Sequence, residues 1–543
     1  MRKLICVLLA VFLVTGLFSA CGKKKTASTD AKAGELAITG DGLTAAEPTS
    51  DRYRVFYEIF VGSFSDSNGD GIGDLRGIIN RMDYLNDGDD NSGRSLGVEG
   101  IWLTPIFESG TYHKYDVNDY YSIDDDFGTM DDLKELISLC HARNVKLILD
   151  LPINHTGRLN QWFSSFTKAH RSGATDDPYY NFYSFYHAGE AAPAGRHFSQ
   201  LSGTDDYYEC NFDGAMPELD FDTPAVRQSV LDIAKYYLDL GIDGFRFDAA
   251  KYIYFGDHSS SEAFWEWYIK ELKKINPDVY TIAEVWDGDG VTDLYYPAVN
   301  CFDFTMSQAE GLIASTAKRG DVNLYTKYVD SYLDSIASKN RDDAMIVPFI
   351  ANHDNDRAAG YLPSLNYFAQ MAANLLILGP GSPFIYYGEE LGMRGSRGGA
   401  ATDANRRLAM VWGDGDTIAD PTGTTYDKNN RADAPASEQK LQSYSLYNYY
   451  KKVIMIRKAN PEIARGDYTA LTLKDTKVGG FISEYRGSQV CVLHNTSGSD
   501  AVFDLGAIGL SQFTKLSASV GNGEARLDGA TLTIPAQTSV VLR

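Results

Sequence analysis

Positive charge is in short supply in this sequence: 50 Lys and Arg stand against 73 Asp and Glu, a formal net charge of −23. Such a chain is repelled by phosphate backbones and by anionic lipid surfaces, which excludes a nucleic-acid partner. Cysteine is scarce and unpatterned. Apart from Cys6 and Cys21, only Cys140, Cys210, Cys301 and Cys491 remain, with no CxxC pair and no His/Cys cluster, so the sequence holds no disulfide framework. Cys140 falls in a helical pattern and reads as core. No internal repeat occurs, which excludes a solenoid. Aromatic residues, by contrast, are plentiful at 12% of the chain, 35 of them Tyr. An acidic, tyrosine-rich surface suits a neutral, hydroxyl-rich ligand whose faces stack on rings.

Long apolar runs are also missing, with one exception at the start. Arg2 and Lys3 precede an apolar stretch over residues 4–18, the order of an export signal. The stretch is too short for a comfortable membrane span. It ends at Leu17-Phe18-Ser19-Ala20-Cys21, which resembles a bacterial lipoprotein box, with Phe18 where an aliphatic residue is usual. This implies a signal peptide over residues 1–20 and acylation of Cys21; plain secretion with a spare thiol is the alternative. Residues 21–50, with Lys23-Lys24-Lys25 followed by small and polar side chains, read as a flexible tether. The implied location is the extracellular face of a bacterial cell membrane, touched only through the lipid at Cys21.

At 543 residues the chain exceeds one core, so at least two domains are expected. From Arg54 onward, short apolar β-type runs recur between amphipathic helical stretches, the pattern of a parallel sheet with crossover helices. Candidate strands lie at 55–60, 100–105, 145–151, 244–247, 280–285, 302–306, 345–350 and 383–387. Eight such units within residues 51–460 predict an α/β chain built on a (β/α)8 TIM barrel, whose catalytic groups gather at the C-terminal strand ends. Several of these strands end in charged or amide side chains: Asp150 and Asn154, Asp248, Glu284, and Asn352 with Asp354. The gap after the third strand, residues 157–224, reads as an inserted subdomain. Residues 461–543 change to alternating short strands, predicting a C-terminal antiparallel β-sandwich. Its Tyr468, Phe481, Tyr485 and Phe503 read as core aromatics.

Glycoside hydrolysis needs one carboxylate to attack the anomeric carbon and one carboxylic acid to protonate the leaving oxygen, about 5 Å apart if configuration is retained. Neighbouring strand ends of a barrel meet that spacing. Asp150-Leu-Pro-Ile-Asn154-His155, the segment from Gly241 to Lys251 containing Arg246 and Asp248, Ala283-Glu284-Val-Trp286 and Asn352-His353-Asp354 follow one another in order. They resemble the four signature regions of the α-amylase family, glycoside hydrolase family 13. Further likeness at Trp102-Leu-Thr-Pro105, Met216-Pro-Glu-Leu-Asp220 and Tyr386-Tyr387-Gly-Glu389-Glu390 extends it across most of residues 52–460.

The resemblance implies Asp248 as nucleophile, Glu284 as acid and then base, and Asp354 as stabiliser of the transition state. Arg246, two residues before the nucleophile on the same strand face, would keep Asp248 ionised. His155 and His353 would hold hydroxyls of the sugar being cleaved, Tyr115 would supply the aromatic floor with His113 beside it, and Lys251 would line an acceptor-side subsite. Trp102 and Trp286 read as packing or rim residues.

A second constellation, Asp66, Asn68, Asp70, Ile72 and Asp74, alternates oxygen donors with turn-forming glycines. Such spacing wraps a hard cation, and calcium is the expected cofactor. The loop resembles the start of an EF-hand without the glutamate at the twelfth position, and also the metal loop of many bacterial family members.

Ala249 after Asp248, together with Lys251, favours α-1,4 cleavage, since family members dedicated to α-1,6 bonds usually place Val there; Tyr252 stands where a His is common. The expected function is therefore retaining endo-hydrolysis of α-1,4 bonds in α-glucans by a monomer. The alternatives are a maltodextrin or cyclomaltodextrin hydrolase, a 4-α-glucanotransferase, and a cell-surface glucan-binding protein without catalysis. Bacteria making the full-length chain are expected to incorporate radiolabelled fatty acid into it and to lose the label in Cys21→Ser; label that survives the substitution would end the anchoring reading.

Overall fold

The computed structural model describes residues 43–400 and 402–543. The export signal, Cys21 and the tether up to residue 42 therefore lie outside the described residues. Eight parallel strands form one sheet: β1 (Phe56–Ile59), β2 (Gly100–Leu103), β3 (Lys146–Leu151), β4 (Gly244–Phe247), β5 (Tyr280–Ala283), β6 (Asn300–Asp303), β7 (Val347–Pro348) and β8 (Phe384–Tyr386). Their order is β7-β6-β5-β4-β3-β2-β1-β8, and a parallel bridge between Phe349 and Phe384 closes the ring. This is the (β/α)8 barrel that the strand pattern predicts.

The strands read as unbroken apolar runs because both faces are buried, one inside the barrel and one under helices. Alternation still sorts the side chains. Phe56, Trp102, Ile148, Tyr280, Ile282, Phe302, Val347 and Phe384 fill the interior as one cluster, while Tyr57, Ile101, Leu149, Phe245 and Phe247 belong to the outer core. Gly100 is the small partner in that interior, where a Cβ would stand 2.4 Å from the Phe56 ring.

The helices are local consequences of sequence. Helix Met130–Ala142 begins at a Thr129/Asp132 capping box and buries Leu133, Leu136, Ile137 and Cys140, one stripe at helical spacing. Helix Pro224–Leu240 starts on Pro and stops at Gly241, whose φ of 106° only glycine adopts without strain. Seven strands differ from their expected bounds, β6 and β7 by two or more residues at both ends. β6 begins earlier and ends at Asp303, because that carboxylate accepts the N–H of Met306 and turns the chain. β7 is two residues long because Pro348 has no N–H for the ladder.

After β3 the chain leaves the barrel for helix Gln161–Ser172 and a three-stranded antiparallel sheet of Phe185–His187, Phe198–Gln200 and Asp206–Glu209. The C-terminal part forms a five-stranded and a three-stranded antiparallel sheet over a core that includes Cys491, Leu493, Leu532, Ile534, Val540 and Leu542. In strand Ser488–Asn495, Val490 and Val492 point the other way, into the barrel's outer core, so this strand is buried on both faces. Phe481 is buried there too, stacked on Tyr468. Cys140, Cys210, Cys301 and Cys491 are all buried free thiols.

Candidate active site

Period-two alternation carries five polar side chains to the C-terminal end of the barrel interior, in line with the apolar residues below them. Glu58 follows Phe56 in β1, Asp150 follows Ile148 in β3, Arg246 and Asp248 follow Gly244 in β4, and Glu284 follows Ile282 at the end of β5. Register then fixes who meets whom: Arg246 is the direct partner of Asp150 on β3 and of Ile282 on β5.

Arg246 is wholly buried. Its Nη1 donates to Asp150 Oδ1 at 2.8 Å and to Asp248 Oδ1 at 2.7 Å, and its Nη2 lies 3.0 Å from Glu284 Oε2. The guanidinium carbon sits 5.2 Å from the centre of the Trp102 ring, so the indole forms its floor. Ala249, in the left-handed region at φ 48°, donates its N–H to Glu284 Oε2 at 3.2 Å. Burial pushes the carboxyls of Asp248 and Glu284 above their ordinary values, against the pull of Arg246. The two are not equivalent. Asp248 has an aligned N–H from Arg246, whereas Nη2 has no aligned bond to Glu284.

A second charged set stands opposite. Asp354 Oδ1 accepts from Arg407 Nη2 at 2.7 Å, and Asp354 Oδ2 lies 3.1 Å from His353 Nε2. Burial opposes its ionisation, yet His353 and Arg407 hold its carboxyl well below the usual range. Burial alone would strip His353 of its proton, but Asp354 and Glu58, the latter 2.6 Å from Nδ1, raise its pKa to about 10. Tyr115 joins the two sets: its hydroxyl donates to Asp150 Oδ2 at 2.8 Å and lies 2.7 Å from His353 Nε2. Burial lifts Asp150 to about 7.

Above these groups opens a cleft of about 910 Å3. Asp248, Glu284, Asp354, His113, Tyr115, His155 and Lys251 all line it, while Arg246 and His353 lie buried beneath it. His113 Nδ1 accepts the N–H of Tyr115 at 3.2 Å, which leaves its Nε2–H as a donor. Burial keeps His113 and His155 neutral, with pKa values of about 4. Lys251 Nζ ties the loop after β4 to the loop after β5 through the Trp286 carbonyl at 2.7 Å and Asp287 at 3.0 Å.

The structure adds residues that sequence reasoning missed. Arg407, in a segment with no motif, clamps Asp354 and also donates to the Tyr112 hydroxyl at 3.0 Å. Glu58 lies inside an apolar strand, and its position on the interior face was the available signal. Phe212 lines the cleft while 47% exposed, beside Trp286, 42% exposed, which the sequence had already marked as a packing or rim residue.

The loop of residues 66–74 is not part of the cleft lining. Asp66 accepts the N–H groups of Asn68, Gly69 and Gly71 and the Thr417 hydroxyl, Asn68 accepts from Asp70 N, Asp70 from Ile72 N, and Asp74 caps the next helix at Gly77 N. The donors are all oxygen, the chemistry a hard cation takes. Among the described residues no three His, Cys, Asp or Glu side chains stand grouped as a cation cage.

A barrel that gathers an arginine-bridged carboxyl pair under an open cleft at its strand ends has the architecture of a two-carboxylate glycoside-cleaving enzyme. The model of the α-amylase catalytic domain matches residues 58–466, and the chain belongs to the α-amylase family, glycoside hydrolase family 13. Alpha-amylase 3 of Dictyoglomus thermophilum is 34% identical over 454 residues, 83% of this chain and 86% of its own length. Oligo-1,6-glucosidase of Bacillus cereus is 28% identical over 83% of this chain and 91% of its own. Among solved structures, Eubacterium rectale Amy13B superposes with a TM-score of 0.83 at 32% identity, covering 93% of this chain and 97% of that one.

The charge state of His353 has a consequence in solution. A group whose folded pKa is raised stabilises fully below its unfolded pKa and loses that contribution as pH rises through the folded one. With 6.5 free and about 10 folded, melting temperature is expected to fall across that window, this residue contributing up to about 1.4 kcal/mol per pH unit. His353→Gln should flatten the fall; a slope unchanged by the substitution would show the buried imidazole to be neutral.

Proposed function

We propose that this chain is a retaining, endo-acting α-amylase that hydrolyses α-1,4-glucosidic bonds in starch, amylose and maltooligosaccharides. The observation that carries the reading is the contact of one buried guanidinium, that of Arg246, with both Asp248 and Glu284 at the floor of the cleft. A shared cation places the two carboxyls close, as retention requires.

In the first half-reaction Asp248 attacks the anomeric carbon while Glu284 gives its proton to the leaving glycosidic oxygen, forming a covalent glycosyl-enzyme and freeing one chain end. Glu284, now a carboxylate, takes a proton from water, whose oxygen attacks the same carbon and releases Asp248. Cation-like character at the sugar ring is met by Asp354, held ionised and oriented by Arg407 and His353, and by the Tyr115 ring. Neutral His113 and His155 hold hydroxyls. Ala249 after the nucleophile and Lys251 on the leaving-group side support α-1,4 specificity, and the cleft volume suits several sugar rings in a row.

Hydrolysis, maltodextrin processing and 4-α-glucan transfer share this intermediate and differ in what accepts the sugar. A non-catalytic glucan-binding role would tolerate loss of a carboxylate, and Asp248, Glu284 and Asp354 are all in place. We take the enzyme to act as a monomer, anchored through Cys21. Amylose, pullulan and maltotriose are the discriminating substrates. Rapid loss of amylose viscosity with α-configured short products is expected, reduced about 10^3-fold or more by Asp248→Asn or Glu284→Gln; turnover of pullulan alone, or chain growth from maltotriose, would move the assignment to another specificity.

Calcium is proposed for the loop of residues 66–74, supported by its all-oxygen donors and by the winding that Gly69 and Gly71 permit at φ 88° and 91°. A chelator is expected to lower the melting temperature by several degrees and added calcium to restore it, with Asp70→Ala insensitive to both; a chelator without effect on the wild type would remove the ion from this loop.

A further inference from the structure

Antiparallel sheets with one solvated face normally turn polar side chains outward. The small sheet of the inserted segment does not. Its inner face already has a core: Phe185 packs 4.5 Å from His170 and 5.9 Å from Phe166, and Tyr208 packs 4.9 Å from Phe163. Its outer face carries three more rings. Tyr186 and Tyr207 are direct cross-strand partners, stacked at 5.1 Å and 9°, and Phe198 stands edge-on to Tyr186 at 4.8 Å. All three are partly exposed. Neither phenol hydroxyl has a hydrogen bond among the described residues, so each is free to meet a ligand hydroxyl.

These rings are joined to the cleft. Phe212, 47% exposed in the cleft wall, meets Tyr252 at 5.3 Å, and Tyr252 meets Phe255 at 5.6 Å. Arg196 then spans from Phe255 to the sheet. Its guanidinium lies 5.6 Å from the Phe255 ring centre and donates to the Phe255 carbonyl and to Glu209, which is the cross-strand partner of Phe198. A chain of contacts therefore joins the Lys251 end of the cleft to the outer sheet, through rings as far as Phe255 and then through Arg196 and the buried Glu209.

We propose that this outer face is a binding site for α-glucan, taking the part of a long chain that leaves the cleft past Phe212 and Tyr252. Partly exposed aromatic rings with free hydroxyls match the apolar faces and hydroxyl rims of successive glucose units. Continuity with the cleft makes the occupant the substrate chain itself. The assignment rests on the α-glucan reading above and deepens it: the site acts on polymer and leaves short oligosaccharides, which end inside the cleft, unaffected.

The test compares amylose with maltotriose as substrates of the full chain. In Tyr186→Ala/Tyr207→Ala the KM for amylose is expected to rise about fivefold or more, since each ring contact is worth about two- to tenfold, while maltotriose kinetics stay within about twofold of the wild type. Tyr186→Phe/Tyr207→Phe, which keeps both rings, should retain most of the amylose affinity. Equal changes on the two substrates, or none on either, would overturn the proposal. Tyr207→Ser alone, read by the same ratio, serves if the double alanine variant does not fold. If the wild type cleaves neither substrate, the catalytic reading fails on its own, and retardation in amylose-containing gels still decides the site: lost in the variants it stands, equal in both it falls.

Discussion

The buried guanidinium of Arg246 is the interaction on which the rest of the site depends. Removing a charge from water costs several kcal/mol unless partners replace its hydration, and here Asp150, Asp248 and Glu284 surround it, with the Trp102 ring beside it. Those three carboxyls, with Asp354 and Glu58, meet only three cations, Arg246, His353 and Arg407. Five negative charges against three positive ones would leave the buried set uncompensated. Burial accordingly lifts the carboxyls of Glu58, Asp150, Asp248 and Glu284 above their ordinary values together, while His353 and Arg407 hold that of Asp354 below its own.

Barrel geometry supplies the means. Parallel strands bring residues from β1, β3, β4 and β5 together towards their C-terminal ends, and alternation turns the same face of each inward. The layer below is filled by Phe56, Ile148, Tyr280 and Phe302, so the charged layer rests on a packed floor that cannot yield to water. Around it, the loops after β4 and β5 are tied by Lys251, and the segment after β8 contributes Arg407. The C-terminal sheets pack Val490, Val492 and Val541 into the barrel's outer core, so they brace the helical layer from behind and take no part in the cleft.

Much of this was legible in the sequence. Eight apolar runs separated by helical stretches define the barrel because a strand buried on both faces has no other pattern available. Strand-end carboxylates stand out because ionisable groups beside such runs have to be paired, and Arg246 is recognisable two residues from Asp248 because that spacing shares a strand face. The oxygen-rich loop of residues 66–74 is equally plain, since its glycines and acidic residues are consecutive. Glu58 and Asp150 could be placed inside the barrel by alternation, though their partners could not.

What the amino-acid order determined by itself is therefore local or periodic: the strands, the capped helices, the carboxyls at the strand ends and the family they mark. Tertiary structure alone decided the couplings between distant segments. Arg407 reaches Asp354 from 53 positions away, Glu58 meets His353 across 295, and Tyr115 bridges Asp150 to His353. The chain of contacts from Phe212 through Arg196 to the outer sheet is likewise invisible along the sequence, because its members come from separate loops and opposite strands. Periodicity tells which face a side chain occupies, but a proton's position depends on every charge within reach, and that is set only when the ring of strands closes.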